Sequence, residues 1–230
     1  MTTIGILGAG QAGNTLARVA IAAGYDVVIA NSRGPETMKR LVSDLGPRAR
    51  AAYAADAAAA ADFAVTAFRY TPDDELPVEE LAGKVVIDPN NYMVWRDGNY
   101  PEVDSSLKTI HELRQEQLPT SKVVKAFTHV QFHERFQIRV PSDTLPAVSR
   151  LARPAGAPDR KALVVSSNYP EAVEVVTRFS DDLGFDAVDN SPLSESWRSA
   201  PGTPMWRHHV DGQSREDLIR NLQRAQRITL

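Results

Sequence analysis

The chain alternates short apolar runs of strand length with longer segments whose apolar residues recur at helical spacing. An apolar run at residues 4–7 is followed by a helical stripe at residues 14–23 and a second apolar run at residues 26–30. This order predicts a β-α-β unit with two buried, parallel strands. Further runs that predict strands lie at residues 50–53, 63–68, 85–87, 122–126, 162–165 and 185–188.

Helical periodicity occupies most of the intervals between these strands. Further helices are predicted at residues 35–45, 55–61, 76–81, 105–117, 145–151, 170–183 and 214–228. Six strands alternating with helices predict an α/β fold with a doubly wound parallel sheet of the Rossmann type.

The composition of the sequence changes after about residue 133. Residues 141–161 are rich in proline, alanine and arginine, and the strand and helix patterns resume beyond them. We therefore predict two domains. Residues 1–134 form the Rossmann domain, and residues 135–230 form a small C-terminal α/β domain.

The first strand ends in a loop with the G-x-G-x-x-G spacing of dinucleotide-binding proteins. Its residues are Gly8, Ala9, Gly10, Gln11, Ala12 and Gly13. Gly8 allows a tight turn, Gly10 lets a pyrophosphate approach the backbone, and Gly13 lets the following helix pack closely on the strand. The amide groups and the dipole of that helix then face the pyrophosphate. The strand before the loop and the helix after it favour dinucleotide binding over an ordinary glycine-rich turn.

The end of the second strand distinguishes the two nicotinamide cofactors. NAD sites usually carry an acidic residue there, which accepts hydrogen bonds from the ribose 2′-hydroxyl. This chain has Asn31, Ser32 and Arg33 instead, and the first acid is Glu36. A guanidinium binds a phosphate bidentately and a serine hydroxyl donates to it, so we predict that NADP(H) binds here. The alternative is that Arg33 is an ordinary solvated loop residue.

Composition narrows the functional classes. The 230 residues carry a net charge of −3 and no long basic run, so neither nucleic acid nor an anionic membrane is an expected partner. The absence of cysteine excludes disulfides and thiolate catalysis and fits a reducing compartment. No apolar run approaches the length of a membrane span, and the N-terminus lacks the features of a signal peptide. We therefore expect a cytoplasmic protein.

Ligands of open parallel sheets bind beyond the carboxyl ends of the strands, so the residues that follow each strand are the site candidates. Asn90 and Asn91 are predicted to fix the nicotinamide carboxamide or ribose, unless they only form an Asx turn. Phe68 is predicted to pack against the ring, unless it is a core residue at a strand end. The full set of predicted cofactor contacts after these strands is Phe68, Arg69, Tyr70, Asn90, Asn91 and Thr128.

Two residues are the catalytic candidates. His129 is a candidate acid or substrate contact, and Asn90 is a candidate for holding the reacting ring. His129 and His133 have the spacing of a metal pair, but no further ligands accompany them, so no metal site is predicted. His111 is expected on the surface of a helix.

Several stretches, spread over most of the chain, resemble the NADP oxidoreductases that use coenzyme F420, a deazaflavin. They are the glycine loop, residues 31–36, 86–91 and 123–127, and residues 184–189 with the segments 192–193 and 202–204. The chain departs from the family at Thr128, where relatives often carry asparagine, and in the long aromatic segment 89–104. The resemblance implies a Rossmann domain, bound NADP(H) and hydride exchange with a deazaflavin or a similar acceptor.

These observations lead to one expected function. The chain is expected to be an NADP(H)-dependent oxidoreductase that moves a hydride between nicotinamide C4 and a small planar acceptor, with coenzyme F420 foremost. A flavin, quinone, imine or ketone acceptor is the alternative, and a non-catalytic NADP-binding sensor is the rival class. A homodimer is expected by analogy alone. The acceptor wall contributed by the second domain is predicted to be Pro192, Leu193, Thr203, Pro204 and Met205. Hydride transfer to a flavin-like ring needs little acid–base help, so shape and amide hydrogen bonds are expected to dominate the site.

Overall fold

The computed structural model describes residues 1–132, 146–208 and 210–227. Its strands form one eight-stranded sheet in the order β3-β2-β1-β4-β5-β6-β7-β8. The first six are mutually parallel, β7 is antiparallel to β6, and β8 is parallel to β7. The α/β fold with a doubly wound parallel sheet is therefore confirmed. The strands are β1 (Thr3–Leu7), β2 (Asp26–Ala30), β3 (Ala49–Ala51), β4 (Phe63–Thr66), β5 (Val85–Asp88), β6 (Lys122–Lys125), β7 (Ala162–Ser167) and β8 (Asp186–Asp189).

Helices connect the strands and cover both faces of the sheet. The α-helices are α1 (Gln11–Ala22), α2 (Lys39–Leu45), α3 (Ala54–Ala60), α4 (Val78–Leu81), α5 (Val94–Asp97), α6 (Pro101–Asp104), α7 (Ile110–Gln117), α8 (Ala147–Arg150), α9 (Pro170–Asp182) and α10 (Arg215–Arg224). Three 3₁₀ helices span Pro35–Met38, Leu193–Ser199 and Pro204–His208. No helix in the described part of the chain has the length and apolarity needed to cross a membrane.

The apolar core lies in two layers because the strands are buried on both faces. Successive strand residues alternate between the layers: Ile4 and Ile6 belong to one cluster, and Val28 and Val86 belong to the other. The first cluster contains apolar residues of α1 and α9, and the second contains residues of α3. This double cover explains why the strand sequences read as continuous apolar runs.

A capping residue decides the start of one predicted helix. The helix predicted for residues 105–117 begins only at Ile110, because Thr109 caps it. The Thr109 hydroxyl accepts from the Glu112 amide at 3.2 Å, and the Glu112 carboxylate accepts from the Thr109 amide at 2.7 Å. The predicted helix at 145–151 is described only as the single turn α8, and residue 145 lies outside the described residues.

The predicted boundary between residues 134 and 135 also lies outside the described residues. Beyond it, β7 and β8 extend the sheet of the Rossmann strands, through the antiparallel pairing of Val124 with Ser167 and Lys125 with Ser166. The C-terminal part of the chain therefore lies beside the carboxyl end of β6. The division into two domains stays a prediction.

Candidate active site

The glycine loop has the geometry that the sequence predicts. Gly8 has a φ of +114°, and a Cβ there would lie 2.6 Å from the Ala67 carbonyl oxygen. A Cβ at Gly13 would lie 1.8 Å from the Gly8 carbonyl oxygen, so helix and loop are in close contact. By contrast, nothing lies within 4 Å of a Cβ built at Gly10. The open space over Gly10 is where a pyrophosphate must approach the backbone.

The N-terminus of α1 is also suited to an anion. Gly10 caps this helix without a side-chain hydrogen bond, and its first turn contains no acidic residue. The first amide groups of the helix therefore have no side-chain acceptor and keep their partial positive charge. This fits a dinucleotide pyrophosphate, with Gln11 and Ala12 the loop residues that reach the wall of the neighbouring cleft.

The corner after β2 leaves its serine and arginine available. The Asn31 Oδ1 accepts from the Arg33 amide at 3.0 Å, and the Asn31 Nδ2 donates to the Thr37 hydroxyl at 3.0 Å. Asn31 thus shapes the turn, while Ser32 and Arg33 are exposed. Among the described residues, no carboxylate lies within ion-pair distance of Arg33. A 2′-phosphate would find an unpaired guanidinium there.

A cleft of about 1060 Å³ lies beyond the carboxyl ends of β4, β5 and β6. It is large enough for a nicotinamide together with a second planar molecule. Of the predicted site residues, the cleft wall contains Gln11, Ala12, Phe68, Arg69, Asn90, Asn91, Thr128 and Thr203. The prediction from the strand ends therefore identified much of the Rossmann side of the cleft. Of the residues predicted on the opposite wall, Thr203 alone lines the cleft.

The structure places the other predicted contacts elsewhere. Tyr70 packs edge-on against Tyr100 at 5.5 Å, in an apolar cluster beside α7. Leu193 and Met205 are fully buried in apolar clusters. Pro192, Pro204 and His129 are likewise absent from the cleft wall, and His129 is buried. The geometry therefore gives no support to the predicted roles of these residues, which stay predictions.

Asp88 organises the polar end of β5. Its Oδ1 accepts hydrogen bonds from the Asn90 amide at 3.0 Å and from the Asn90 side chain, which forms the Asx turn considered above. Its Oδ2 lies 3.3 Å from the Nε of Arg114 on α7. Asn90 therefore lines the cleft with its amide group already bound to Asp88. Its predicted catalytic role stays a prediction.

Arg114 ties α7 to the floor of the cleft. It is fully buried, and its Nη1 lies 2.9 Å from Asp74. Its guanidinium lies 5.2 Å from the centre of the Phe68 ring and 5.1 Å from that of Tyr70. Stacking of this kind fixes the plane of an aromatic ring. Phe68 is thus held at the cleft wall by a buried cation, in a position suited to support a nicotinamide ring.

Two buried titratable residues that the sequence interpretation did not propose as site residues lie in the cleft wall. His111, expected on a helix surface, is only 2% exposed, so that expectation is wrong. Burial lowers the pKa of His111 well below its usual value, and the charges of Lys125 and Arg114 lower it further. Lys125 is 1% exposed, and its burial lowers its pKa to about 7, although Asp88 opposes the shift.

The sequence contains signals for both residues, but the simple rules for helix faces and strand ends assign them to the wrong positions. In α7 the buried residues are Ile110, His111, Leu113 and Arg114, so a histidine and an arginine share the apolar stripe. Lys125 is the last residue of β6 rather than a residue after it. A search for charged residues inside otherwise apolar strands would have found Lys125, together with its register partner Asp88.

Several buried polar atoms in the cleft wall have no hydrogen-bond partner among the described residues. They are Asn91 Oδ1, His111 Nε2, Thr128 Oγ1, Ser196 Oγ and Trp197 Nε1. Asn91 is anchored through its other amide atom, which donates to the Thr128 carbonyl at 2.6 Å. Buried polar groups are normally paired, so this concentration indicates a site that binds a polar ligand.

The C-terminal wall is built from aromatic and arginine side chains. Two guanidinium groups lie over the ring of Trp197, with Arg198 at 4.5 Å and Arg227 at 5.2 Å from its ring centre. Arg227 also donates to the Ser106 carbonyl at 2.6 Å and to the Ser194 carbonyl at 3.2 Å. The end of the chain thereby joins the loop before α7 to the 3₁₀ helix Leu193–Ser199, and both segments contribute to the wall.

No group of three or more metal-ligating side chains suited to an ion occurs among residues 1–132, 146–208 and 210–227. His133, which has the spacing of a metal pair with His129, lies outside the described residues.

The strand order, the glycine loop and the cleft beyond the strand ends together define a dinucleotide-binding fold of the Rossmann class. Residues 3–92 match the family of the coenzyme F420-dependent NADP oxidoreductases. The resemblance found in the sequence is thus confirmed over these residues, and it supports an NAD(P)-dependent oxidoreductase.

Similar proteins extend the likeness over the whole fold. A hypothetical protein from Sinorhizobium meliloti is 27% identical, with a TM-score of 0.66 over 89% of this chain and 93% of that one. A protein from Arthrobacter sp. FB24 that is proposed to be an F420-dependent NADP reductase is 23% identical. Its TM-score is 0.64 over 85% of this chain and 87% of that one. The protein YjhV of Escherichia coli (strain K12) is 40% identical over 53 residues, which are 23% of this chain and 39% of YjhV.

Proposed function

We propose that this protein is an NADP(H)-dependent oxidoreductase that transfers a hydride between nicotinamide C4 and the deazaflavin coenzyme F420. The observation that carries the proposal is the cleft of about 1060 Å³ at the carboxyl ends of β4, β5 and β6. A sensor that only binds the nucleotide needs no space beside the nicotinamide, whereas an oxidoreductase needs room for a second ring. The volume of this cleft supports the enzyme over the sensor.

The choice of NADP(H) rests on the corner after β2. Ser32 and Arg33 are exposed, and Asn31 is engaged in holding the turn. A carboxylate directly after β2 would repel a 2′-phosphate, but Asn31, Ser32 and Arg33 occupy these positions and the first acid is Glu36. A charge-assisted hydrogen bond from the unpaired guanidinium supports a preference for the phosphorylated cofactor.

The residues in the cleft have separate roles in binding the ligands, supporting a ring and excluding water. Asn91 and Thr128 offer polar atoms without other partners for the carboxamide or the ribose. Phe68, held by Arg114, supports one face of a planar ring. Trp197 and Arg227 close the side formed by the C-terminal part of the chain and keep water from the reacting carbon atoms. When bound, the cofactor supplies the hydride, and the protein holds the two rings close together.

The identity of the acceptor rests on the family match and on the residues of the C-terminal wall. The family match covers the nucleotide-binding part, and the Arthrobacter protein is similar in fold. The aromatic ring of Trp197 and the guanidinium of Arg227 in this wall suit a flat, electron-poor or anionic heterocycle. A deazaflavin has this character. If the protein does not reduce F420, a flavin, a quinone, an imine or a ketone is the alternative acceptor.

The test is anaerobic mixing of the purified protein with NADPH and oxidised F420, followed by absorbance at the bands of both compounds. We expect NADPH to be consumed as F420 is reduced, in equal amounts. The same assay with FMN, menadione and a cyclic imine identifies another acceptor. If NADPH binds but no acceptor in the panel is reduced, the proposed enzymatic function is wrong and the sensor is favoured.

A further inference from the structure

Lys125 occupies an unusual position for a lysine. It ends β6, is almost completely buried and lies in the wall of the cleft. Its Nζ donates a hydrogen bond to the Ser196 carbonyl oxygen at 2.5 Å. Among the described residues, no carboxylate lies within 4.0 Å of this nitrogen. A buried ammonium without a counter-ion is costly, so a structural lysine would normally have a closer partner.

The hydrogen bonds around Asp88 explain why Lys125 lacks that partner. Asp88 is the register partner of Lys125, but its two oxygens are bound by Asn90 and Arg114. A protonated lysine has three N–H bonds to donate. The described residues accept one of them, through Ser196. The remaining donors are left for a molecule in the cleft.

The groups facing Lys125 come from three packed elements. Asp88 of β5 favours its protonated form. His111 of α7 lies close enough for the charges of Lys125 and of Arg114, also on α7, to lower the pKa of His111. Ser196, from the C-terminal wall, is neutral and fixes the direction of the Nζ. His111 is kept neutral by burial, so it adds no competing positive charge at neutral pH.

We propose that Lys125 is the proton donor of the reaction, giving an Nζ proton to a nitrogen or oxygen of the acceptor as the hydride reaches carbon. This inference rests on the proposed function. The acceptor class it requires is a C=N or C=O group, or a conjugated system such as a deazaflavin that takes up a hydride and a proton at separate atoms. Lys125, rather than His129, then carries the acid–base chemistry of the site.

The step balances with the reactants already named. The C4–H bond of NADPH breaks, and its electron pair forms the new C–H bond of the acceptor. The double bond of the acceptor opens toward nitrogen or oxygen, which takes the proton as an N–H bond of Lys125 breaks. NADPH is oxidised, the acceptor is reduced, and Lys125 becomes a neutral amine that regains a proton from water. In the reverse direction the neutral amine accepts the proton.

Two variants at Lys125 and one control separate this role from a structural one. Lys125→Arg keeps the charge and a donor to Ser196, but a guanidinium does not release its proton at accessible pH. Lys125→Met keeps the shape of the side chain and removes the charge. Lys122→Met makes the same change on the same strand, at a partly exposed residue whose partner is Glu171. Circular dichroism and thermal unfolding report whether each variant is folded.

The kinetic measurement is the pH profile of F420 reduction by NADPH, or of reduction of whichever panel acceptor reacts. In the wild type we expect kcat to fall as pH rises through the pKa of Lys125, because the donor must be protonated. Both Lys125 variants should lose about 10²- to 10⁴-fold in kcat with little change in NADPH affinity, and Lys125→Arg should lose this titration. Lys122→Met should match the wild type in rate and profile.

A second measurement needs neither cofactor nor acceptor. The Nζ of Lys125 is followed by ¹⁵N NMR, with its signal assigned by its absence from the Lys125→Arg spectrum. We expect titration near neutral pH, far below that of the surface lysines. A folded Lys125→Arg enzyme with wild-type kcat and profile, or an Nζ that titrates with the surface lysines, overturns the proton-donor role alone. A wild type that binds NADPH but reduces no acceptor overturns the proposed function and this role together.

Discussion

Asp88 and Lys125 are register partners at the carboxyl ends of β5 and β6, yet the carboxylate of Asp88 is bound by Arg114 and Asn90. Arg114 reaches it from α7, with its guanidinium over the rings of Phe68 and Tyr70. The ion pair of this site therefore joins a helix to the sheet, and the lysine beside it is left facing the cleft. Within one polar cluster, the charge of Arg114 thus stabilises the fold, and the charge of Lys125 remains available to a molecule in the cleft.

This arrangement predicts that Arg114→Met strongly destabilises the fold. The substitution leaves the fully buried Asp88 carboxylate without its cation, and such losses cost about 3–5 kcal/mol. Urea unfolding should show the loss as a lower midpoint. Adding Asp88→Asn to the variant removes the stranded charge and should recover part of the stability. If the double variant is no more stable than Arg114→Met, the pair is not the source of the effect.

The glycine loop predicts opposite behaviour for two neighbouring substitutions. A Cβ at Gly13 would lie 1.8 Å from the Gly8 carbonyl, so Gly13→Ala should destabilise the protein by at least about 2 kcal/mol. Gly10 has a φ of −72°, which alanine adopts freely, and open space around its Cβ. Gly10→Ala should keep stability within about 0.5 kcal/mol but weaken NADPH binding about tenfold or more. Thermal melts and fluorescence titration check both. Normal NADPH binding by Gly10→Ala would place the pyrophosphate elsewhere.

The success of the sequence interpretation at this loop has a local physical cause. Tight turns, close helix packing and apolar strands are encoded by neighbouring residues, so β1, α1, β2 and the glycine loop follow from their own sequence. The corner after β2 can also be predicted from neighbouring residues, because its exposed side chains have roles that do not depend on a distant part of the chain.

The cleft wall is harder to predict because it joins residues far apart in the chain. The burial of His111 depends on where Thr109 starts α7 and on the packing of that helix over Asp88. Likewise, Leu193 and Met205 are buried in apolar clusters formed by residues distant in the chain. Trp197 lies in the cleft wall, where it contacts Arg227. Periodicity shows that such residues are apolar or polar, but not which distant surface they meet.

The corner after β2 predicts a selective effect of Arg33→Ala. An exposed guanidinium that binds a 2′-phosphate contributes a charged hydrogen bond, so its loss should weaken NADPH binding about 10- to 100-fold. NADH lacks that phosphate, and its affinity should not change. Arg40→Ala, at an exposed arginine on α2, is the matched control and should leave both affinities unchanged. Isothermal titration measures all four. An unchanged preference for NADPH in Arg33→Ala would exclude this residue as the phosphate ligand.

The C-terminal wall predicts that Arg227→Ala acts on the acceptor and not on the nucleotide. Arg227 joins the Ser106 and Ser194 carbonyls and stacks on Trp197, so its removal loosens the side of the cleft away from the glycine loop. We expect the KM of the acceptor to rise roughly five- to tenfold, a change of about 1 kcal/mol. The Kd of NADPH should be unchanged. Arg224→Ala, at the end of α10, is the control. A weaker Kd for NADPH with an unchanged acceptor KM would reverse the proposed arrangement of the two ligands.

The burial of Lys125 also predicts a pH dependence of stability that is independent of catalysis. Its pKa is about 7 in the folded protein against 10.5 for an exposed lysine, so the unfolded chain binds more protons between these values. The free energy of unfolding should therefore gain a contribution that rises with pH through this window, by up to about 1.4 kcal/mol per pH unit.

Urea unfolding of the wild type and of Lys125→Met, from about pH 7 to about pH 9.5, isolates this contribution because tyrosine and histidine titrate mainly outside that range. The stability of the wild type relative to Lys125→Met should increase across the window. Lys122→Met, whose lysine is partly exposed beside Glu171, should follow the wild type. Parallel curves for wild type and Lys125→Met would mean that Lys125 keeps an ordinary pKa in the folded protein, and a neutral-pH proton donor would then have to be sought at another residue of the cleft.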